Sequence, residues 1–243
     1  MKNFRLKIFC DFDGTITRND VWLNSLARFI EDKSELKRIC DEFVEGKISS
    51  RTTSELHLKL IKNFDKELFK EYLAEEEIDS SFPEFVNFCL DNEHGLYIVS
   101  SGLDFYISEI LKRYKISVPF FANRMIADES NGSLSCEMTY SDEYCLDCAT
   151  CKRNILLTNT NDLGREVSVY IGDGASDYCV SSYADIVFAK GKLASYCWKN
   201  NITYFEFTSF NDISKKLIRL TEGNKIKHRQ EASFRRREIF MGG

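Results

Sequence analysis

Short apolar runs recur at Lys7–Phe12, Leu96–Ser100, Val118–Ala122, Val167–Ile171, Asp185–Ala189 and Thr203–Phe207, and most lead into stretches with a helical apolar period. Strands alternating with amphipathic helices predict an α/β fold, a Rossmann-like doubly wound parallel sheet. One gap breaks the alternation. Between Gly14 and the second run lie roughly eighty residues with several helical periods, more than one crossover helix needs. An inserted α-helical cap over residues 16–81 accounts for the excess and leaves residues 1–15 and 82–243 as a discontinuous catalytic core. In the insert, Trp22, Leu26, Phe29 and Ile30 share one face of a first predicted helix, and Leu36, Ile39, Cys40 and Phe43 share one face of a second that stops at Gly46. These stripes read as packing faces. Beyond the third run the helical period lapses, and Asn131–Gly132 between β-like segments predicts a tight hairpin turn.

Composition narrows the class without naming a function. Hydrophobic residues make up 43% and charged residues 29%, values of a globular enzyme and unlike disordered or membrane-spanning chains. The net charge of -5 argues against a nucleic-acid partner recognised through a basic field, and it requires local cations wherever an anion is to bind. The basic stretch Lys225–Arg237 runs the other way and reads as a frayed, solvated tail. Nine cysteines, several within apolar runs, suggest reduced thiols. No apolar leader or spanning segment is visible, so a cytoplasmic location with no membrane partner is expected.

The candidate chemistry sits at strand ends. Cys10-Asp11-Phe12-Asp13-Gly14-Thr15 places two carboxylates two residues apart where an apolar strand gives way to a glycine turn. Ligands of parallel sheets bind at the carboxyl ends of strands. Like charges held together there call for a cation or a shared proton. A second cluster, Gly172-Asp173-Gly174-Ala175-Ser176-Asp177, follows the run ending at Ile171, and two such clusters facing each other form an oxygen site suited to magnesium. Between them, Ser100-Ser101-Gly102 offers a hydroxyl and glycine-adjacent N–H groups before the helix at Asp104, an anion cradle. Cys145, Cys148 and Cys151 form a C-x2-C-x2-C run that would need a fourth ligand such as Cys136 to hold a metal, and packing thiols are the preferred reading. His57, His94 and His228 fit no motif and read as packing or solvated residues.

The run Asp11–Thr15, the Ser100 corner, Lys152 and the Gly172–Asp177 cluster, in this order, resemble the four motifs of the haloacid dehalogenase superfamily of phosphatases. A helical insert directly after the first motif is similar to the subclass that contains phosphoserine phosphatase. Ile16–Asp20, Ser100–Phe105 and the cysteine-rich approach to Lys152 are most similar to its methionine-salvage branch, which acts on 2-hydroxy-3-keto-5-methylthiopentenyl 1-phosphate. The chain departs from that branch with Ser101 and Arg153 where glycine and proline are favoured. The resemblance implies a magnesium-dependent phosphomonoesterase acting on a small molecule. Asp11 would be the nucleophile and Asp13 the general acid and base. Asp11, Asp13 and Asp173 would hold magnesium, with Asp177 behind them, and Ser100, Ser101, Gly102 and Lys152 would bind phosphate. Asp20 would meet a substrate amine or cap the helix beginning at Val21, and Arg51 would meet a substrate anion from the cap. Phosphoserine-type and phosphocholine- or phosphoethanolamine-type activity stay open, as does phosphoryl transfer to an acceptor alcohol. A non-enzymatic phospho-acceptor is disfavoured by Asp13 and by the insert.

Overall fold

A computed structural model describes residues 4–128 and 130–241, with the side chains of 240 and 241 left aside. Seven strands form one sheet in the order β4-β3-β2-β1-β5-β6-β7. The strands are β1 (Arg5–Cys10), β2 (Gly95–Leu103), β3 (Phe120–Asp128), β4 (Ser133–Glu137), β5 (Glu166–Gly172), β6 (Ile186–Ala189) and β7 (Phe205–Glu206). All pairings are parallel except β3 with β4. The six apolar runs become six of these strands. The seventh, β4, pairs back on β3 as a hairpin across the segment that holds Asn131 and Gly132. Asp128 faces Ser133 there, so the connection is longer than a two-residue turn. The Asp128 carboxylate organises it, accepting from the Ser130 N–H and hydroxyl and from Asn131 Nδ2.

Alternation along the strands divides the core. Phe9, Val99 and Tyr170 face one side, packed with Leu156, Val180 and Leu193. Ile8, Cys10, Val169 and Ile171 face the other, where Phe85 and Phe210 join them. That second cluster runs on without a break into the inserted helices through Leu26, Ile30, Leu58 and Phe69, so the insert shares its apolar interior with the sheet.

The insert lies between β1 and α5 (Phe82–Asp91) and comprises α1 (Val21–Asn24), α2 (Lys33–Val44), α3 (Ser50–Leu60) and α4 (Lys66–Ala74). Its neck is a single antiparallel bridge from Thr17 to Ile78. The first predicted helix is broken: α1 ends at Asn24 and a 3₁₀ turn covers Leu26–Phe29. The cause is buried Glu76, whose Oε1 accepts from Asn24 Nδ2 at 2.8 Å and from the Ser25 hydroxyl. Meeting that carboxylate tightens the backbone into i to i+3 bonds, Arg28 N–H to the Ser25 carbonyl and Ile30 N–H to the Ala27 carbonyl. Gly46, at φ +73, closes α2 one residue past its last turn. Two core loops reach the insert. The Phe64 N–H donates to the Gly132 carbonyl of the hairpin at 2.8 Å, and the Arg51 N–H and Ser50 hydroxyl donate to the Asp147 carbonyl.

The remaining helices are α6 (Asp104–Arg113), α7 (Lys152–Thr158), α8 (Tyr178–Ser181), α9 (Gly191–Lys199), α10 (Phe210–Glu222) and α11 (Gln230–Met241). The last corrects the expectation of a frayed basic tail. Arg236 is 2% exposed; its Nε donates to Asp162 Oδ2 and its Nη2 to Asp185 Oδ1, both at 2.9 Å, and Nη1 reaches the Tyr183 carbonyl. Asp185 also accepts from the Ser168 N–H and hydroxyl and from the Arg229 N–H. A buried carboxylate with this many donors pins the last helix to the core, and a solvated tail would strip it of its arginine partners and leave it only the Ser168 donors.

Candidate active site

Register brings the predicted site together. Cys10 pairs with Ile98 of β2 and with Ile171 of β5, so β1 and β5 end nearly level while β2 runs on past them to Leu103, and the Asp11 N–H donates to the Ile171 carbonyl at 2.9 Å. Asp11, the Ser100 segment and Asp173 therefore share the carboxyl edge of the sheet at its central strand, where an α/β sheet opens a crevice. Gly14 is needed there on two counts: its φ is +72, and a Cβ would come within 2.9 Å of Asp173 Oδ2.

The electrostatic centre is Lys152, the first residue of α7 and 2% exposed. Its ammonium donates to Asp11 Oδ1 at 2.6 Å, Asp177 Oδ1 at 2.7 Å and the Ser176 hydroxyl at 3.0 Å. Burial opposes its charge, but Asp11 and Asp177 outweigh that and hold its pKa above the usual lysine range. Asp177 is fully buried and has every lone pair engaged, by Lys152, by the Tyr170 hydroxyl at 2.5 Å and by the Asp173 and Gly174 N–H groups at 3.0 Å each. It is a fixed brace for Lys152 and for the loop that carries Asp173.

Negative charge exceeds positive here. Ligand oxygens of Asp11, Asp173 and Asp177 lie within 4.8 Å of one another, and among the described residues Lys152 is the one cation in contact with them. Burial first, and Asp177 second, push the Asp11 carboxyl well above the usual range against the pull of Lys152. The same causes push Asp173 to about 6, with the Thr15 hydroxyl, 2.7 Å from its Oδ1, pulling the other way. A buried set of hard oxygen donors carrying uncompensated charge suits a divalent cation such as magnesium.

Asp13 stands apart from that set. Its Oδ2 accepts from the Tyr106 hydroxyl at 2.6 Å and from the Ser100 hydroxyl at 3.2 Å, and its Oδ1 accepts from the Val21 N–H at 3.1 Å. Burial, then the charge of Asp20, raises its pKa to about 7 despite those donors. Two neighbouring carboxyls thus sit in different environments, a pattern that separates acid from nucleophile.

Ser100, Ser101 and Gly102 lie inside the end of β2, where pairing with β3 slips between Val99 and Leu103, and helix α6 starts only at Asp104. Ser100 is fully buried beneath the cleft, while Ser101 and Gly102 line it. A Cβ on Gly102 would fall 1.5 Å from the Tyr106 hydroxyl, so the bond from Tyr106 to Asp13 is possible only over a glycine. Among the cap candidates, Asp20 lines the cleft, and its Oδ1 caps α1 by accepting the Leu23 N–H at 3.0 Å. Arg51 does not line the cleft; its Nε and Nη2 are buried beside the Asp147 loop without a partner among the described residues. Among the described residues the Cys145, Cys148 and Cys151 run brings no three ligand atoms together, with or without Cys136.

Three contributors were not anticipated from the sequence. Tyr106 meets Asp13 across 93 positions. Asn123, fully buried, donates from Nδ2 to the Ser101 carbonyl at 2.7 Å and accepts the Thr150 hydroxyl at 3.2 Å, tying the Ser101 segment to the loop before Lys152. His57, read as a packing or solvated residue, lines the cleft with Trp22.

The profile of the haloacid dehalogenase-like hydrolases matches residues 8–182 and so spans all of these groups. The chain belongs to the haloacid dehalogenase-like hydrolase family. As a member of that family it is similar to a Bacillus cereus protein (strain ATCC 10987 / NRS 248) named 2-hydroxy-3-keto-5-methylthiopentenyl-1-phosphate phosphatase, with 30% identity over 222 residues, 89% of this chain and 98% of the relative. A protein of the same name from Bacillus thuringiensis (strain Al Hakam) is 29% identical over the same shares. This hydrolase also shares the fold of phosphoserine phosphatase: an analogue of the phospho-aspartyl intermediate superposes with a TM-score of 0.68 at 22% identity, covering 88% of this chain and 99% of that one. A substrate-bound complex gives 0.67 at 23% identity, covering 89% and 99%. Among the described residues, no helix is long and apolar enough to cross a membrane.

Proposed function

We propose that this hydrolase is a magnesium-dependent phosphatase that cleaves a small phosphomonoester through a phospho-aspartate on Asp11. The observation that carries the reading is the contrast between Asp11, paired with Lys152 at 2.6 Å beside Asp173 and Asp177, and Asp13, held apart from them by Tyr106, Ser100 and Val21.

Each step is assigned to a residue of this site. An Asp11 oxygen attacks phosphorus, the bond to the leaving oxygen breaks, and its electron pair takes the proton that Asp13 carries. The Asp13 carboxylate then removes a proton from a water that attacks the acyl phosphate, releasing phosphate and restoring Asp11. Asp13 can serve both steps because a pKa of about 7 lets either form exist near neutrality. Lys152 and Ser101 supply the charge and a donor that a phosphate needs in an acidic pocket, while the Gly102 N–H, which donates to the Ser100 hydroxyl at 2.9 Å, holds the segment that carries Ser101. Magnesium, held by Asp11, Asp173 and the Asp13 backbone carbonyl, would supply the positive charge that admits a phosphate dianion and stabilises its oxygens. The Asp13 side chain, engaged elsewhere, leaves its carbonyl as its contribution. Residues 16–81 act as the cap, closing the cleft from above and reading the leaving group.

Similarity to the named Bacillus phosphatases over 98% of their length supports a methionine-salvage phosphomonoester as the substrate. Phosphate release from a panel of phosphomonoesters, with magnesium and with chelator, tests the reading. Magnesium-dependent turnover favouring the methionine-salvage ester is expected; no turnover of any ester would overturn it.

A further inference from the structure

The cap wall of the cleft has a chemistry that the catalytic groups do not explain. The cleft holds about 440 Å³, and its cap side joins the apolar Trp22, Leu23, Phe43 and Val44 around His57 and Cys40 to the uncharged hydroxyl residues Ser50, Thr53 and Ser54. His57 is 3% exposed. Trp22 Nε1–H donates to its Nδ1 at 3.1 Å, and a ring that accepts at Nδ1 is neutral with its proton on Nε2. Burial lowers the His57 pKa to about 4, so the neutral ring persists at neutral pH. The one polar contact of Nε2 among the described residues is the Cys40 thiol at 3.8 Å, a weak acceptor. The charged groups at the rim of the cleft face water. Asp20 caps α1 through Oδ1 and is exposed, and Lys192, on α9 of the core, is exposed as well.

A buried N–H without a strong acceptor, in the wall of a cleft, is a donor in want of a partner. An uncharged donor among apolar side chains matches an uncharged oxygen acceptor. A carboxylate or ammonium pressed against the His57 ring, whose own polar partners are the uncharged Trp22 and Cys40, would lose its water without a counter-charge in contact with it.

We propose that His57 is a specificity-determining residue, its Nε2–H donating to an uncharged oxygen such as a ketone on a short alkyl leaving group, so that zwitterionic leaving groups are disfavoured. The inference rests on the phosphatase reading and adds to it the residue that selects the substrate. Trp22 is then a positioning residue, since its indole N–H sets the tautomer of His57.

The test compares 2-oxopentyl phosphate with pentyl phosphate, which differ by one carbonyl, in the full-length wild type, His57→Leu and His57→Gln. The ratio of kcat/KM for the two esters is taken in each protein, so that the intrinsic reactivity of the leaving groups cancels between proteins. Losing one neutral hydrogen bond should lower that ratio about fivefold to tenfold in His57→Leu, chiefly through KM, while His57→Gln, which keeps an N–H, should retain most of it. An unchanged ratio in folded His57→Leu overturns the inference. Wild type alone gives a second test independent of variant folding: O-phosphoserine or phosphoethanolamine turned over better than 2-oxopentyl phosphate also overturns it. p-Nitrophenyl phosphate, assayed alongside, separates the two levels, because absent magnesium-dependent turnover of every ester contradicts the phosphatase reading itself.

Discussion

Lys152 Nζ lies 2.6 Å from Asp11 Oδ1, and the two side chains are only 2% and 6% exposed. A buried pair of this kind is expensive to break, because the survivor keeps its charge without a partner. Lys152→Met should strand Asp11 and Asp177 together. Urea unfolding in chelator is expected to show a loss of about 3–5 kcal/mol, with phosphate release reduced roughly a hundredfold or more. Native stability together with full turnover would show that the pair has neither role.

Tyr106→Phe keeps the ring over Gly102 and removes the hydroxyl that orients Asp13. Turnover of an alkyl phosphate, whose leaving oxygen needs a proton, should fall about tenfold with little change in KM. Turnover of p-nitrophenyl phosphate, whose leaving group departs unprotonated, should fall less. Equal losses on both esters would mean that the hydroxyl serves the fold and not the acid.

The crowding of Asp11, Asp173 and Asp177 predicts that magnesium stabilises the folded protein. Magnesium at about a hundred times its dissociation constant should add roughly 2.7 kcal/mol, seen as a rise in melting temperature that chelator reverses. Asp173→Asn should melt without that rise. A wild type indifferent to magnesium would contradict the assignment of the site.

His57 predicts a pH dependence away from the catalytic aspartates. Its pKa is about 4 when folded and about 6.5 when unfolded, so between these values the unfolded chain binds the extra proton. The stability linked to the neutral ring is therefore complete above about pH 6.5 and is lost as the pH falls toward 4, by roughly 3 kcal/mol in full. Denaturant titrations of wild type and His57→Gln should diverge through this window, and parallel pH profiles would rule the effect out.

Arg236→Met removes the donor that α11 lends to Asp162 and Asp185, far from the cleft. A loss of about 2–4 kcal/mol is expected, with the KM of the remaining folded protein unaltered. Unchanged stability would show that the Ser168 and Arg229 donors suffice for Asp185.

What the sequence made legible follows from the range over which each signal acts. The ends of β1 and β5 could be read because a carboxylate-glycine cluster after an apolar run is a local pattern, and the inserted helices because an excess of helical period is counted along the chain. Lys152 was visible only through resemblance, since nothing in its neighbours reveals that its ammonium is buried. Tyr106, Asn123 and His57 act through contacts with segments far along the chain, for which no spacing exists to be read. The chain around Trp22 misled because Glu76, fifty positions on, draws Asn24 and Ser25 out of one continuous helix. Helix α11 misled because its inward face carries Arg236 while Phe234 is exposed, so apolar periodicity gave it no signature.

The covalent intermediate is tested most directly by intact-protein and peptide mass measurement of Asp13→Asn after brief exposure to p-nitrophenyl phosphate with magnesium. This ester needs no proton on its leaving group, so phosphorylation should proceed while the missing base slows hydrolysis. The account predicts a species heavier by one phosphoryl group, mapped to Asp11 and absent from the Asp11→Asn, Asp13→Asn double variant. Phosphate release retained in Asp11→Asn, with no adduct in Asp13→Asn, would contradict it.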